Sequence, residues 1–217
     1  MRINPSILSA DFSNLAVELQ RISNADAAHI DVMDNHFVPN LTIGLPVVKR
    51  LQEVSPIPLD VHLMIDRADT EALKYADLGV DSITFHLEAS SDPKSLITNL
   101  RQRGVKAALA IKPKTPVESV FEYLDELDMV LIMTVEPGFG GQSLIQATLD
   151  KIPVLRSAID ASGRNVILQV DGGVTLSNIG MISRFGADCA VAGSAVYGSG
   201  SAADNISALK LAAANGG

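Results

Sequence analysis

Met129-Val130-Leu131-Ile132-Met133-Thr134-Val135 is a run of seven residues in which only Thr134 is polar. Strands of parallel sheets have this composition when both of their faces are buried under helices. Similar short apolar or β-branched runs recur along the chain, and apolar residues at helical spacing follow each of them. The stretch and its surroundings therefore predict a parallel sheet with helices outside it.

Eight such strand–helix units follow one another without a linker or a change in composition. The predicted strands cover residues 3–8, 27–33, 59–64, 82–86, 106–111, 129–135, 166–170 and 189–193. The predicted helices carry Leu15, Leu19 and Ile22 after a cap at Asp11 or Ser13, and then cover residues 47–54, 70–78, 96–103, 117–124, 149–159, 177–185 and 203–213, with a frayed end at 215–217. Eight units in 217 residues predict one α/β domain, a (β/α)8 TIM barrel over residues 1–217. An open doubly wound sheet is the alternative.

Composition excludes several classes of partner. The formal net charge of −8 argues against nucleic acid, because a phosphate backbone requires a basic face. No stretch approaches the roughly 20 apolar residues of a membrane-spanning helix, and the first residues lack the pattern of a signal peptide. The single cysteine allows no internal disulfide and is compatible with a reducing compartment. We therefore expect a cytoplasmic protein with neither nucleic acid nor a membrane as partner.

Ionisable residues gather at the predicted ends of three strands. His29 and Asp31 lie two residues apart on the second strand and so share one face, His62 ends the third strand, and Asp171 ends the seventh. If these faces point inward, the four side chains converge at the C-terminal mouth, where the active sites of such barrels lie. Two imidazoles and two carboxylates suit a first-row transition metal. The alternative is that each is an ordinary strand-end residue held by a hydrogen bond.

His86 and three methionines also lie at strand ends, and the sequence indicates other roles for them. His86 ends the fourth strand and Glu88 lies two residues further on, which indicates a structural pair rather than metal ligands. Methionine in a barrel usually fills the core. The alternative is that three methionines at strand ends assist catalysis by placing polarizable thioethers around the site: Met33, Met64 and Met133.

Glycine-rich segments follow the sixth, seventh and eighth strands, at residues 137–142, 171–173 and 192–194. Glycine lets backbone N–H groups approach an anion closely, and barrels often bind phosphate with the loops after their last strands. The segments therefore predict a phosphorylated ligand, bound by backbone groups in spite of the acidic chain. The alternative is that these glycines only form tight turns.

Taken together, these motifs resemble the ribulose-phosphate 3-epimerase family. The likeness runs in order through residues 4–12 (NPSILSADF), 29–40 (HIDVMDNHFVPN), 61–64 (VHLM), 133–142 (MTVEPGFGGQ), 170–174 (VDGGV) and 192–195 (AGSA). It implies a barrel of the ribulose-phosphate-binding type that interconverts D-ribulose 5-phosphate and D-xylulose 5-phosphate in the pentose phosphate pathway. Asn35 and Glu136 stand where many members have Gly and Asn, and Asn tolerates a left-handed turn better than most residues.

The resemblance also implies roles for individual residues. One divalent metal per chain, Fe²⁺, Mn²⁺, Co²⁺ or Zn²⁺, would be bound by His29, Asp31, His62 and Asp171, and the acid/base pair would be Asp31 and Asp171. The positions that match substrate contacts are Ser6, His62, Gly138, Phe139, Gly140, Gly141, Gly172, Gly173, Gly193 and Ser194. We also expect a sugar-phosphate substrate and a homo-oligomer.

Three other functions are alternatives to this one. A decarboxylase of the same superfamily would be expected to carry Lys two residues after the Asp of its second strand, but Met33 stands there. An allulose-6-phosphate 3-epimerase would use the same chemistry on a substrate one carbon longer. A non-catalytic phosphate-binding barrel would not need both Asp31 and Asp171. The favoured mechanism remains a proton transfer at a carbon next to a carbonyl. One carboxylate removes the proton, and the other returns a proton to the opposite face.

Overall fold

Eight parallel strands form one sheet in a computed structural model that describes residues 1–216. The strands are β1 (Arg2–Pro5), β2 (Ala28–Met33), β3 (Leu59–Met64), β4 (Ser82–His86), β5 (Lys106–Ile111), β6 (Met129–Met133), β7 (Ile167–Asp171) and β8 (Cys189–Ala192). Their order is β1-β8-β7-β6-β5-β4-β3-β2. A parallel bridge between Ser6 and His29 joins the two edges of the sheet. The barrel prediction is therefore confirmed, and the open sheet is wrong.

Helices follow the strands on the outside of the barrel. They are α1 (Leu15–Arg21), α2 (Leu45–Val54), α3 (Ala68–Ala76), α4 (Pro93–Gln102), α5 (Lys151–Ser162), α6 (Ile179–Arg184), α7 (Ser194–Tyr197) and α8 (Ala202–Asn215). The short helix α7 was not predicted as a separate element. None of the helices described is long and apolar enough to cross a membrane. Gly217, assigned to the frayed end, lies outside the described residues.

Two predicted helical features were wrong. The segment after β5 is a 3₁₀ helix, Val117–Tyr123, whose buried residues include Val117 and Val120. A spacing of three residues fits the three-residue turn of a 3₁₀ helix as well as it fits an α-helix, so the pattern did not distinguish them. Asp11 caps a separate 3₁₀ turn, Phe12–Asn14, by accepting a hydrogen bond from the Ser13 backbone N–H at 2.9 Å, and does not cap α1.

Alternation along the strands creates two apolar layers. On β6, Val130 and Ile132 belong to the large core between the strands and the helices. Leu131 and Met133 belong instead to a small cluster inside the barrel. This arrangement explains why β6 is apolar at every position, since both of its faces are covered. On β2 and β3 the inward positions are ionisable up to the last one, which is a methionine on both strands, and these positions build the site.

Candidate active site

Four ionisable side chains meet at the mouth of the barrel, as the sequence predicts. The His29 Nε2 atom lies 3.6 Å from Asp31 Oδ1 and 3.7 Å from Asp171 Oδ2. The His62 Nδ1 atom lies 3.4 Å and 3.6 Å from the same two oxygens. Neighbouring strands bring these groups together, because Asp31 and His62 are register partners on β2 and β3. Asp171 ends β7 on the other side of the barrel.

The spacing of these four groups suits a metal ion. One donor atom from each of the four residues can be chosen so that all lie within 4.8 Å of one another. Atoms bonded to one ion at about 2.0–2.2 Å lie roughly 3.3–3.6 Å apart in a tetrahedral arrangement. The His–Asp distances fall close to that range, and both imidazoles are fully buried. The buried cluster could therefore hold a metal ion.

Asp60 fixes the orientation of the His29 ring. Asp60 Oδ2 lies 2.9 Å from His29 Nδ1 and also accepts hydrogen bonds from Asn4 Nδ2 and Gln169 Nε2, while Oδ1 accepts one from Ser82. A carboxylate can only accept these bonds, so His29 Nδ1 carries a proton, and the neutral ring would turn the lone pair of Nε2 toward the cluster. Burial alone would raise the pKa of Asp60, but His29, Gln169 and Ser82 hold that pKa well below its usual value.

The sequence prediction gave Asp60 no role. One signal was available: Asp60 and His62 lie two residues apart on β3 and therefore share a face of the strand. What the sequence did not show is that Asp60 and His29 are register partners. Asn4 and Gln169, which approach Asp60 from β1 and β7, carry no recognisable signal in the sequence.

His62 is held from behind by His86. The two Nε2 atoms are 3.0 Å apart, and His86 Nδ1 lies 3.3 Å from Glu88 Oε2. Burial lowers the pKa of His86 to about 4, with the positive charge of His62 acting in the same direction and Glu88 opposing it. The predicted His86–Glu88 pair is therefore present, whereas the contact with His62 was not expected.

Asp31 and the two histidines hold opposite charges. Burial raises the pKa of Asp31, but His29 and His62 outweigh burial and hold that pKa well below its usual value. Burial likewise lowers the pKa of His29, but Asp31 and Asp60 hold it well above its usual value. Ser6 donates a hydrogen bond to Asp31 Oδ2 at 2.6 Å, on the oxygen that does not face the imidazoles. A metal ion would compete with the proton on the histidine nitrogens, because metal binding requires neutral imidazole.

A cavity of about 410 Å³ opens above the cluster, a size typical of small-ligand sites. Met33, Met64 and Met133 line it, each about 2% exposed. No Lys or Arg within residues 1–216 lines this cavity. Every expected substrate-contact residue except His62, which is buried beneath the cavity, is part of its wall: Ser6, Gly138, Phe139, Gly140, Gly141, Gly172, Gly173, Gly193 and Ser194.

The three glycine-rich segments lie side by side on this wall, because β6, β7 and β8 are neighbours in the sheet. Gly141 and Gly173 have φ values of 74° and 65°. Within residues 1–216, their backbone N–H groups donate no hydrogen bond to the protein. These donors are therefore available to a ligand in the cavity.

Comparisons with known proteins show which family this chain resembles. The sequence profile of the ribulose-phosphate 3 epimerase family matches residues 2–197. The chain is 47% identical over 208 residues to ribulose-phosphate 3-epimerase of Mycobacterium tuberculosis (strain H37Rv), covering 96% of this chain and 91% of that protein. It is 47% identical over 198 residues to the enzyme of the same name from Escherichia coli K12, covering 90% of this chain and 88% of that protein.

Solved structures confirm the barrel fold. The crystal structure of 3-hexulose-6-phosphate synthase from Salmonella typhimurium superposes with a TM-score of 0.74 at 16% identity, with all of both chains covered. At that identity the likeness concerns the fold alone. The family profile and the curated relatives are specific where the fold is not, and together they show that this chain belongs to the ribulose-phosphate 3-epimerase family.

Proposed function

We propose that this chain interconverts D-ribulose 5-phosphate and D-xylulose 5-phosphate by moving a proton at C3. The observation that carries the proposal is the pair Asp31 and Asp171, which come from different strands yet approach the same two imidazole nitrogens. Both carboxylates line the cavity. Membership of the epimerase family supports the same reaction. We extend the proposal to a single catalytic domain over residues 1–217 that acts in the cytoplasm as a homo-oligomer.

His29, Asp31, His62 and Asp171 would hold one divalent metal ion per chain, of a type such as Fe²⁺, Mn²⁺, Co²⁺ or Zn²⁺. When bound, the ion supplies Lewis-acid polarisation of the carbonyl beside C3. The donor set fits such an ion, because His29 is already restricted by Asp60 to the tautomer that a ligand needs.

The two carboxylates divide the proton transfers between them. Asp31 presents Oδ1 to the imidazoles, so its Oδ2 is the oxygen that transfers the proton. Oδ2 also accepts a hydrogen bond from the Ser6 hydroxyl. Asp171 turns its Oδ2 to the imidazoles, so its Oδ1 is the free oxygen. One carboxylate removes the proton from one face of the sugar, and the other returns a proton to the opposite face. Each group is base for one epimer and acid for the other.

Backbone groups would hold the phosphate end of the substrate. We assign this role to the N–H groups of Gly141, Gly173, Gly193 and Ser194, which lie on adjacent loops of the cavity wall. The absence of Lys and Arg from the described wall supports recognition by neutral donors. The remaining substrate contacts would come from Ser6, His62 and the loop Gly138–Gly141, including Phe139. An anchored phosphate keeps the sugar from turning over, so both carboxylates are required.

Deuterium exchange tests the division of labour between Asp31 and Asp171. In deuterated water the wild-type protein should place solvent deuterium at C3 of the product. Metal-loaded Asp31→Asn and Asp171→Asn should each lose epimerisation by roughly 100-fold or more but keep exchange at C3 of one epimer, and of opposite epimers. Metal content is measured for each variant, because both residues belong to the metal cluster.

The matched control is Asp66→Asn, which makes the same change at an exposed residue outside the cavity. It should epimerise at the wild-type rate. If both site variants exchanged the same epimer, or if either kept near-normal epimerisation with its metal bound, the two-base assignment would be wrong.

A further inference from the structure

The pair formed by buried His86 and partly exposed Glu88 lies beside the cluster but outside the residues to which the proposed reaction assigns a role. His86 is fully buried at the end of β4. Its ring touches His62 on one side, through two Nε2 atoms 3.0 Å apart, and Glu88 on the other, through Nδ1 and Oε2 at 3.3 Å. The three side chains form a line that leads from the loop after β4 to the cluster.

Two imidazole nitrogens at 3.0 Å share a single proton when both rings are neutral. If His62 Nε2 holds that proton, His62 Nδ1 has a lone pair that points toward Asp31 and Asp171. If His86 Nε2 holds it, the proton of neutral His62 lies on Nδ1, and that nitrogen cannot bind a metal. The tautomer of His86 therefore decides whether His62 is a ligand.

Glu88 selects between these two states. Its Oε2 can only accept from His86 Nδ1, so the proton of neutral His86 lies on Nδ1 and its Nε2 accepts from His62. The other oxygen, Oε1, is fixed by the Lys112 backbone N–H at 2.8 Å and by the Thr115 hydroxyl. Lys112 N–H can only donate, so the carboxylate is held in one orientation by the loop after β5.

We propose that His86 and Glu88 are positioning residues that set the tautomer of His62 and so make its Nδ1 a metal ligand. The inference rests on the metal site proposed above. It assigns no proton transfer to either residue, because neither lines the cavity. Hydrogen-bond partners of metal ligands typically account for 10- to 100-fold in metal affinity.

Glu88→Gln should reverse the direction of the hydrogen bonds that run from residue 88 through His86 to His62, with almost no change in the shape of the side chain. Because Lys112 N–H and Thr115 hold an acceptor, the new amide keeps its oxygen there and turns its NH₂ group toward His86 Nδ1. His86 Nδ1 must then accept, its Nε2 carries the proton, and His62 Nδ1 becomes protonated. Glu88→Ala removes the bond but imposes no tautomer. We therefore expect the isosteric change to weaken metal binding more than the truncation does.

The measurement is the dissociation constant for Co²⁺, followed by its visible absorption and by competition with a chelator. Glu88→Gln should bind Co²⁺ about 10- to 100-fold more weakly than the wild type, and Glu88→Ala by a smaller factor. The matched control is Thr115→Val, which removes a partner of the same carboxylate but leaves its contact with His86. It should bind Co²⁺ within about threefold of the wild type, since the acceptor toward His86 is retained.

Nitrogen-15 NMR of histidine-labelled, Zn²⁺-loaded wild type reads the tautomers directly and does not depend on a folded variant. The proposal expects the proton on Nε2 of His62 and on Nδ1 of His86. The opposite tautomers would overturn it, as would Glu88→Gln binding Co²⁺ as tightly as the wild type, or all three variants losing affinity equally. If the wild type itself bound no Co²⁺, the metal site would fail instead, and the NMR of the metal-free protein would still test the His86 tautomer.

Discussion

At the level of single residues, each imidazole in the cluster is defined by the hydrogen bond on the far side of its ring. Asp60 fixes His29, and His86 faces His62 in the same way.

Gly173 on the cavity wall also depends on its neighbours, because they leave no space for a side chain. A Cβ atom at Gly173 would lie 2.4 Å from the Leu144 backbone nitrogen and 3.0 Å from the Gln142 carbonyl oxygen. A side chain there would therefore press on the loop after β6.

Gly173→Ala should raise KM for the sugar phosphate, because the displaced loop would carry Gly141 away from the phosphate. The loss of one hydrogen bond to a charged group, about 1.5–3 kcal/mol, corresponds to roughly a 10- to 150-fold rise. Steady-state kinetics with D-ribulose 5-phosphate measure the effect.

Gly163→Ala is the matched control, because its φ of 67° imposes the same backbone strain while its Cβ would meet no atom within 4 Å. It should lower the unfolding free energy by about 1–2 kcal/mol and leave KM unchanged. Equal KM values for both variants would remove Gly173 from the phosphate site.

At the level of elements, the loop after β6 owes its shape to hydrogen bonds from two side chains. Gln142 Nε2 donates to the carbonyl oxygens of Glu136 and Phe139 at 2.7 and 2.9 Å. Asn40 Nδ2 donates to the Gly138 carbonyl oxygen at 2.8 Å and ties the loop to the segment after β2. Because Phe139 is half exposed, apolar packing contributes little there, and these bonds determine how well the loop is pre-organised.

Gln142→Ala should therefore raise KM for the sugar phosphate while the melting temperature changes little. Two hydrogen bonds at about 0.5–1.5 kcal/mol each correspond to roughly a 5- to 150-fold rise if they act mainly on the loop. The control is Gln52→Ala, which removes a comparable bond to the Gly79 carbonyl oxygen at 3.0 Å on the exposed surface. Unchanged KM in Gln142→Ala would mean that the loop needs no such support.

The strands were more predictable than the connections between them. The predicted bounds of β3, β4 and β5 agree with the structure, because alternate positions of each strand are apolar and pack into the core beneath the helices. The cluster was predictable from parity along each strand, since His29 and Asp31 must share a face. The partners Asp60 and His86 depend on register and on contacts across the barrel. A single sequence carries no record of these, so their roles were missed.

At the level of the whole molecule, buried polar side chains fill part of the barrel interior. Asp60, His29 and His62 are buried below the cavity, while Leu131 and Met133 fill the side formed by β6. Buried ionisable groups cost free energy unless they are paired. A bound metal would therefore stabilise the entire domain, because the unfolded chain lacks the site.

Removal of metal by a chelator should abolish activity and lower the melting temperature. A metal at 100 times its dissociation constant stabilises by about 2.7 kcal/mol, which for a domain of this size corresponds to roughly 5–11 °C. Thermal unfolding with stepwise addition of Co²⁺ or Mn²⁺ measures the shift. Asp171→Asn should show a much smaller one, and an equal shift in that variant would place the metal elsewhere.

The place where β1 closes the barrel between β8 and β2 affects the order in which the barrel can form during synthesis. Within residues 1–216, β1 forms its ladder with β8, near the other end of the chain, and meets β2 through the single bridge between Ser6 and His29. A chain still being synthesised cannot complete β1 until residues 189–192 have left the ribosome. Ser6, which holds Asp31, follows β1 directly. The step that completes β1 is thus also the step that places this serine, so a chain terminated before residue 189 would carry most of the barrel without a finished site.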